Sequence, residues 1–148
     1  MKIGLLNGPN LNLLGTRETN IYGKFTLDDV YKKLVEIAGK NNEIIAFQSN
    51  NEGELINFIQ LSKDKGINYI IFNPGAFTHT SIAIRDAIVS VDAKVIEVHI
   101  SNLYKREDFR QKSFIAPVSI GQISGFGAKS YELALYYILR EIEENKKK

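Results

Sequence analysis

Tyr69-Ile70-Ile71-Phe72-Asn73-Pro74-Gly75-Ala76-Phe77-Thr78-His79-Thr80-Ser81 sets a short apolar run against a polar turn, and Ser81–Val91 then carries a helical stripe. The run is too short for a core helix and lacks polar alternation, so it reads as a strand covered on both faces. Working outward, the same unit of strand, polar turn and helix recurs about every thirty residues, the pattern of a parallel sheet built from βα units. The strands expected are Lys2–Asn7, Ile44–Ser49, Tyr69–Asn73, Val95–Ile100 and Ala116–Ser119. The helices between and after them are Leu27–Lys40, Gly53–Lys65, Ser81–Val91 and Ser130–Glu143. In the first of these, Leu27, Val30, Tyr31, Leu34, Val35 and Ile37/Ala38 fall on one stripe. Five strands with helices on both faces make this an α/β chain with a flavodoxin-like, doubly wound sheet whose strand order the sequence leaves open.

Its 148 residues suit a single domain, 1–148, with one sizeable core, and 44% hydrophobic content is that of an ordinary globular protein. Nineteen basic against seventeen acidic residues leave +2, too little charge to mark a nucleic-acid or membrane surface. The expected partners are small molecules or further copies of the chain. Without cysteine there is no disulfide or thiolate chemistry, and two histidines are too few for most histidine metal sites. Met1–Asn7 is a short apolar run before Gly8-Pro9, unlike a signal peptide or a membrane span, so a cytoplasmic location is expected.

In open α/β sheets ligands sit beyond the carboxyl ends of the strands. Here three such ends are rich in amides, hydroxyls and imidazoles: Asn7-Gly8-Pro9-Asn10-Leu11-Asn12, Asn73 through Thr80, and Glu97-Val98-His99-Ile100-Ser101-Asn102. One such loop is ordinary strand termination, but three on one edge point to a site. The first loop lacks the glycine spacing of dinucleotide or P-loop binders, and Asn7, Asn10 and Asn73 stand where a phospho-acceptor domain needs acids. The cluster Gly121–Gly127 has two readings, an anion cradle on backbone amides or tight turning into the last helix.

Gly15-Thr16-Arg17-Glu18-Thr19-Asn20-Ile21-Tyr22-Gly23 is polar, bracketed by glycines and long for a βα loop, as a lid would be. A tyrosine hydroxyl titrates near ~10, so a tyrosine base near neutrality needs its phenolate stabilised by roughly 4 kcal/mol. Arg17 is a candidate source; the alternative is that both side chains are surface residues. Glu97 and His99, two apart on a strand, share a face, so the carboxylate can fix the imidazole's tautomer and favour its protonated form. The competing reading is a histidine merely satisfied at a strand end. Arg106-Glu107-Asp108-Phe109-Arg110 reads as a charged turn near the same strand end.

Taken in order, several of these stretches resemble the type II 3-dehydroquinate dehydratases over nearly the whole chain. They are Leu6-Asn7-Gly8-Pro9-Asn10-Leu11-Asn12 with Leu14-Gly15, Arg17 with Ile21-Tyr22-Gly23, and Asn50-Asn51-Glu52-Gly53-Glu54-Leu55. Asn73 through Ser81, Glu97 through Asn102, Arg106 through Arg110 and Gly121 through Gly127 continue the match. The resemblance implies a flavodoxin-like fold, no metal, no cofactor, and trans elimination of water from 3-dehydroquinate through an enolate. It implies service in the shikimate route of aromatic amino-acid biosynthesis or in quinate breakdown. By the same resemblance Tyr22 is the base, Arg17 its activator, His99 the acid with Glu97 behind it, and Asn10 the holder of a water at the enolate oxygen. Asn73, Ile100 and Ser101 would bind the carboxylate, His79 and Arg110 the ring hydroxyls, and Arg106 would be a lid contact. Asp86 would reach a neighbouring subunit's site in a homo-dodecamer assembled from trimers. Thr19, Asn51 and Lys105 depart from the residues common in the family, and none is a chemical residue. The competing class is a non-catalytic flavodoxin-like module that binds a small molecule; it would need no matched acid and base.

Overall fold

A computed structural model describes residues Met1–Lys148. The strands β1 (Lys2–Asn7), β2 (Glu43–Gln48), β3 (Ile67–Asn73), β4 (Lys94–His99) and β5 (Gly121–Ser124) form one parallel sheet in the order β2-β1-β3-β4-β5. The chain runs outward from β1 to β2, returns to β3 on the other side of β1, then adds β4 and β5. The direction therefore reverses between β1 and β3, where doubly wound sheets open a crevice for ligands.

The helices are α1 (Thr19–Tyr22), α2 (Leu27–Ala38), α3 (Glu52–Gln60), α4 (Ile82–Val89) and α5 (Lys129–Lys146). Strand alternation feeds two apolar layers. Ile3, Leu5, Tyr69, Ile71, Ile96 and Val98 face α2 and α5, whereas Leu6, Ile70, Phe72 and Val95 face α3 and α4. Glu97 and His99 share the parity of Val95, so the chemistry of β4 points to the α3/α4 side. Helix starts are written locally. Thr26 and Asp29 make a reciprocal capping box at α2, and the Ser81 hydroxyl accepts from the Ile84 N–H at α4. Asn51 caps α3 by accepting from the N–H groups of Gly53 and Glu54, which gives this departure from the family a structural role. No helix is long and apolar enough to cross a membrane.

One expected strand is wrong. Ala116–Ser119 is not β5: Ala116–Val118 is a single 3-10 turn, and the fifth strand lies at Gly121–Ser124, paired with Ile96–His99. Pro117 has no N–H to give to a ladder, and the Ser113 hydroxyl captures the N–H groups of Ile115 and Ala116. An edge strand pairs on one side only, so Gly121-Gln122-Ile123-Ser124 serves without the apolar density of the inner strands. The rest of the glycine cluster turns the chain rather than cradling an anion. The Gly125 and Gly127 amides donate to the carbonyls of His99 and Ile100, and the Phe126 amide donates to the Ser130 hydroxyl.

Candidate active site

The loops leaving β1, β3 and β4 meet at the carboxyl edge of the sheet around a pocket of about 110 Å³. Two glycines interlock the first two. A Cβ on Gly8 would lie 2.4 Å from the Pro74 carbonyl oxygen, and Gly75, at φ +58°, would place one 3.1 Å from that of Pro9. The Gly8 N–H donates to the Asn73 carbonyl at 2.8 Å. Asn10 follows at φ 67°, a left-handed conformation that asparagine tolerates, with its N–H donating to Asn50 Oδ1 at 2.9 Å.

Glu97 is completely buried and collects three side-chain donors. Its Oε1 accepts from Thr78 Oγ1 at 2.5 Å and from His99 Nε2 at 2.6 Å; Ser113 Oγ donates to the carboxylate at 3.0 Å. Ser113 can act only as donor here, because both its lone pairs already accept the Ile115 and Ala116 amides. Three donors converging on one carboxylate favour its ionised form. Burial pushes this carboxyl upward, but the bond from His99, its positive charge, and the hydroxyls of Thr78 and Ser113 outweigh that and hold it below the usual range. Glu97 is thus an ionised acceptor that fixes a proton on His99 Nε2. The other ring nitrogen, Nδ1, is left for the pocket.

Tyr22, half-buried at the end of α1, lines the same pocket. Its hydroxyl oxygen is 2.7 Å from Arg106 Nη1, which also donates to Ser101 Oγ at 3.3 Å. The Arg17 guanidinium stands over the ring, 5.2 Å from its centroid, and pairs with Glu18 at 2.5 Å. Arg106 is at the same 5.2 Å from the centroid, so two cations flank one phenol. The hydrogen-bonded cation is therefore Arg106, a residue for which the sequence suggests only a lid contact, while Arg17 approaches through the ring.

Asn73 is buried, with Oδ1 accepting from the Gly75 N–H and Nδ2 donating to the Tyr131 hydroxyl. His79 Nδ1 donates to the Lys112 carbonyl at 2.7 Å, and its ring lies near-parallel to that of His99 at 6.4 Å. Burial holds the His79 imidazole below its ordinary range against the opposing pull of that carbonyl, and the charges of His99 and Arg110 lower it further. Arg110 is braced by Glu107 at 2.6 Å. Asn10, Ile100, Ser101 and Arg110 line the same pocket, with Arg17, Tyr22, Asn73, His79, His99 and Arg106. Glu97 stands behind His99. Asp86 alone lies elsewhere, exposed on α4 beside Arg85. Thr78, from the flagged β3 loop, completes the polar framework with Ser113 and Tyr131, neither of which any sequence signal singles out.

A family model described as "Dehydroquinase class II" matches residues 1–139. The 3-dehydroquinate dehydratase of Caldicellulosiruptor saccharolyticus is 56% identical over 146 residues, 95% of this chain and 97% of its own. That of Polynucleobacter asymbioticus is 49% identical over 140 residues, 94% of each chain. Among solved structures, the type II dehydroquinase from Butyrivibrio crossotus is similar with a TM-score of 0.90 at 49% identity, covering 93% of this chain and 96% of that one. A 3-dehydroquinate dehydratase-like protein from Bifidobacterium longum is similar at a TM-score of 0.69 and 29% identity, over 96% and 98%. The sheet order, the hydrogen-bonded Glu97–His99 pair at the end of β4 and the flanked tyrosine thus occur in a chain that belongs to the class II dehydroquinases.

Proposed function

We propose that this chain dehydrates 3-dehydroquinate to 3-dehydroshikimate, with Tyr22 as base and His99 as acid. The observation that carries the reading is a phenol flanked by two guanidinium groups in the same pocket as an imidazole whose far nitrogen is locked to a buried carboxylate. A binding module needs no such matched pair.

In the working site the Tyr22 phenolate removes a proton from the carbon beside the ketone, and the electron pair moves onto the ketone oxygen. Arg106 and Arg17 stabilise the phenolate that begins the cycle. A water held by Asn10 donates to the enolate oxygen, which lowers the energy of the charge as it forms. The enolate then returns its electrons, the bond to the β-hydroxyl breaks, and that oxygen takes the Nδ1 proton of the His99 imidazolium and leaves as water. Glu97 stabilises the imidazolium before transfer. The base on α1 and the acid on β4 come from separate elements, which lets them act from different sides of the ring. The second Nδ2 hydrogen of Asn73, with Ser101 and Ile100, receives the substrate carboxylate. His79, with Nδ1 committed to Lys112, offers Nε2 as an acceptor to a ring hydroxyl, and Arg110 donates to a neighbouring one.

Assembly is the second part of the proposal. Ile82, Asp86 and Val89 fall on one stripe of α4, and the two apolar members are 57% and 61% exposed. This face suits contact between copies, with Asp86 reaching a neighbour's site in a dodecamer of trimers. Light scattering gives the assembled mass, and Asp86→Ala is expected to lower activity without lowering single-chain stability. The activity itself is tested by mixing protein, 3-dehydroquinate and a chelator and following the ultraviolet absorbance of the conjugated enone. Folded protein that produces none overturns the reading.

A further inference from the structure

Beneath the pocket, Tyr131 in the first turn of α5 is fully buried, and its hydroxyl bridges two strands. It donates to Asn7 Oδ1 at 2.7 Å and accepts from Asn73 Nδ2 at 2.8 Å. Asn7 and Asn73 are direct partners at the last rung of the β1–β3 ladder. The direction of each bond is set by one fixed donor. The Gly75 N–H can only donate, so Asn73 must present Oδ1 to it at 3.1 Å. The Asn73 NH2 then faces Tyr131, and the phenol proton is left for Asn7 Oδ1. Burial pushes the Tyr131 hydroxyl well above the ordinary phenol range, so it stays a neutral donor and acceptor across the working pH range.

We infer that Tyr131 is a positioning residue: it holds the Asn73 amide so that its remaining Nδ2 hydrogen is presented to the substrate carboxylate. The terminal torsion of an asparagine is broad, so a side chain pinned only at Oδ1 can swing this hydrogen out of line. The inference rests on the proposed contact between Asn73 and the carboxylate. A purely structural tyrosine would affect stability alone, since removing its hydroxyl strands two buried polar atoms.

The test compares Tyr131→Phe, Asn73→Ala and the double variant by steady-state kinetics on 3-dehydroquinate, with thermal unfolding measured alongside. Tyr131→Phe is expected to raise KM about two- to tenfold, the worth of one neutral hydrogen bond, with kcat within about twofold of the unsubstituted chain. Asn73→Ala is expected to raise KM at least as much, and the double variant to match Asn73→Ala rather than multiply the two effects. Should Tyr131→Phe not fold, Asn7→Ala removes the acceptor for the phenol proton and is expected to raise KM in the same non-multiplicative way. A lowered unfolding midpoint with unchanged KM in Tyr131→Phe overturns the positioning role and leaves the Asn73 contact standing. Multiplicative effects in the double variant overturn it as well. Unchanged KM in Asn73→Ala overturns the Asn73 contact itself, and the role of Tyr131 with it.

Discussion

Replacing Glu97 by Gln keeps the volume and removes one charge, and the surrounding hydrogen bonds dictate how the new amide must sit. Oε1 serves His99, Thr78 and Ser113, while Oε2 serves Ser113 alone. The amide oxygen of Gln therefore takes the Oε1 position, and its NH2 faces Ser113 Oγ at about the present 3.0 Å. That hydroxyl has no lone pair to offer, because the Ile115 and Ala116 amides hold both. A buried donor then meets a donor, at a cost of about 1–3 kcal/mol of stability. Catalysis loses something separate. The bond from His99 at 2.6 Å is charge-assisted when the imidazole is protonated, worth about 1.5–3 kcal/mol, so kcat should fall roughly ten- to 150-fold.

Two measurements check this: kcat from enone absorbance at saturating substrate, and the thermal midpoint of both proteins at neutral and acid pH. The depressed carboxyl sets the sign of the pH effect. A group whose folded pKa lies below its unfolded value adds stability above the unfolded value, 4.5, and loses it as pH falls through the lower folded one. The midpoint gap between the unsubstituted chain and Glu97→Gln should therefore narrow on acidification. A folded Glu97→Gln protein with kcat within about twofold of the unsubstituted chain would falsify the role given to the dyad, and a gap that widens in acid would refute the ionised assignment.

Tyr22→Phe removes the proposed base and should cut kcat by about 10²–10⁴-fold while ligand binding, followed by calorimetry with the product acid, persists; full activity would mean another base operates. Arg106→Gln removes the donor at 2.7 Å from the Tyr22 oxygen and should lower kcat about 10²–10³-fold, the loss typical of one donor to a developing oxyanion. Unchanged turnover there would leave Arg17 as the sole cation of consequence. No lysine lines the pocket, so borohydride added with substrate should leave activity intact, and covalent trapping seen by mass spectrometry would rule out the enolate route. His79, held neutral by burial, should make the chain lose stability as pH falls below its ordinary 6.5, a limb that His79→Gln should flatten in thermal scans taken between pH 7 and 5.

Much of this frame is legible in the sequence because burial on both faces leaves a strong mark. β1, β3 and β4 read as runs dominated by Ile, Leu, Val and Phe, and each breaks abruptly into a loop that lines the pocket. The fifth strand escapes such a reading because an edge strand does not need that mark. Ala116 and Val118 make the wrong segment look apolar, whereas Gly121-Gln122-Ile123-Ser124 pairs on one side and exposes half its residues. Asn51 shows the same limit on a smaller scale: its role as a cap depends on two particular amides, and a family pattern at that position says nothing about them.

The identity of the partners is a harder matter, because it depends on distances between residues far apart in the chain. Arg17 lies five positions from Tyr22, and proximity in sequence makes it the obvious activator. Arg106, eighty-four positions away, is the one that touches the hydroxyl. Arg17 meets the phenol only through its ring, 5.2 Å from the centroid, whereas Arg106, just past the 3-10 turn after β4, reaches the hydroxyl itself. Ser113 and Tyr131 obey the same logic, each pinned by acceptors and donors from other segments. A sequence names the groups able to do acid–base chemistry. Which protons they hold is decided by backbone amides such as those of Gly75, Ile115 and Ala116, which can only donate and so fix every bond downstream of them.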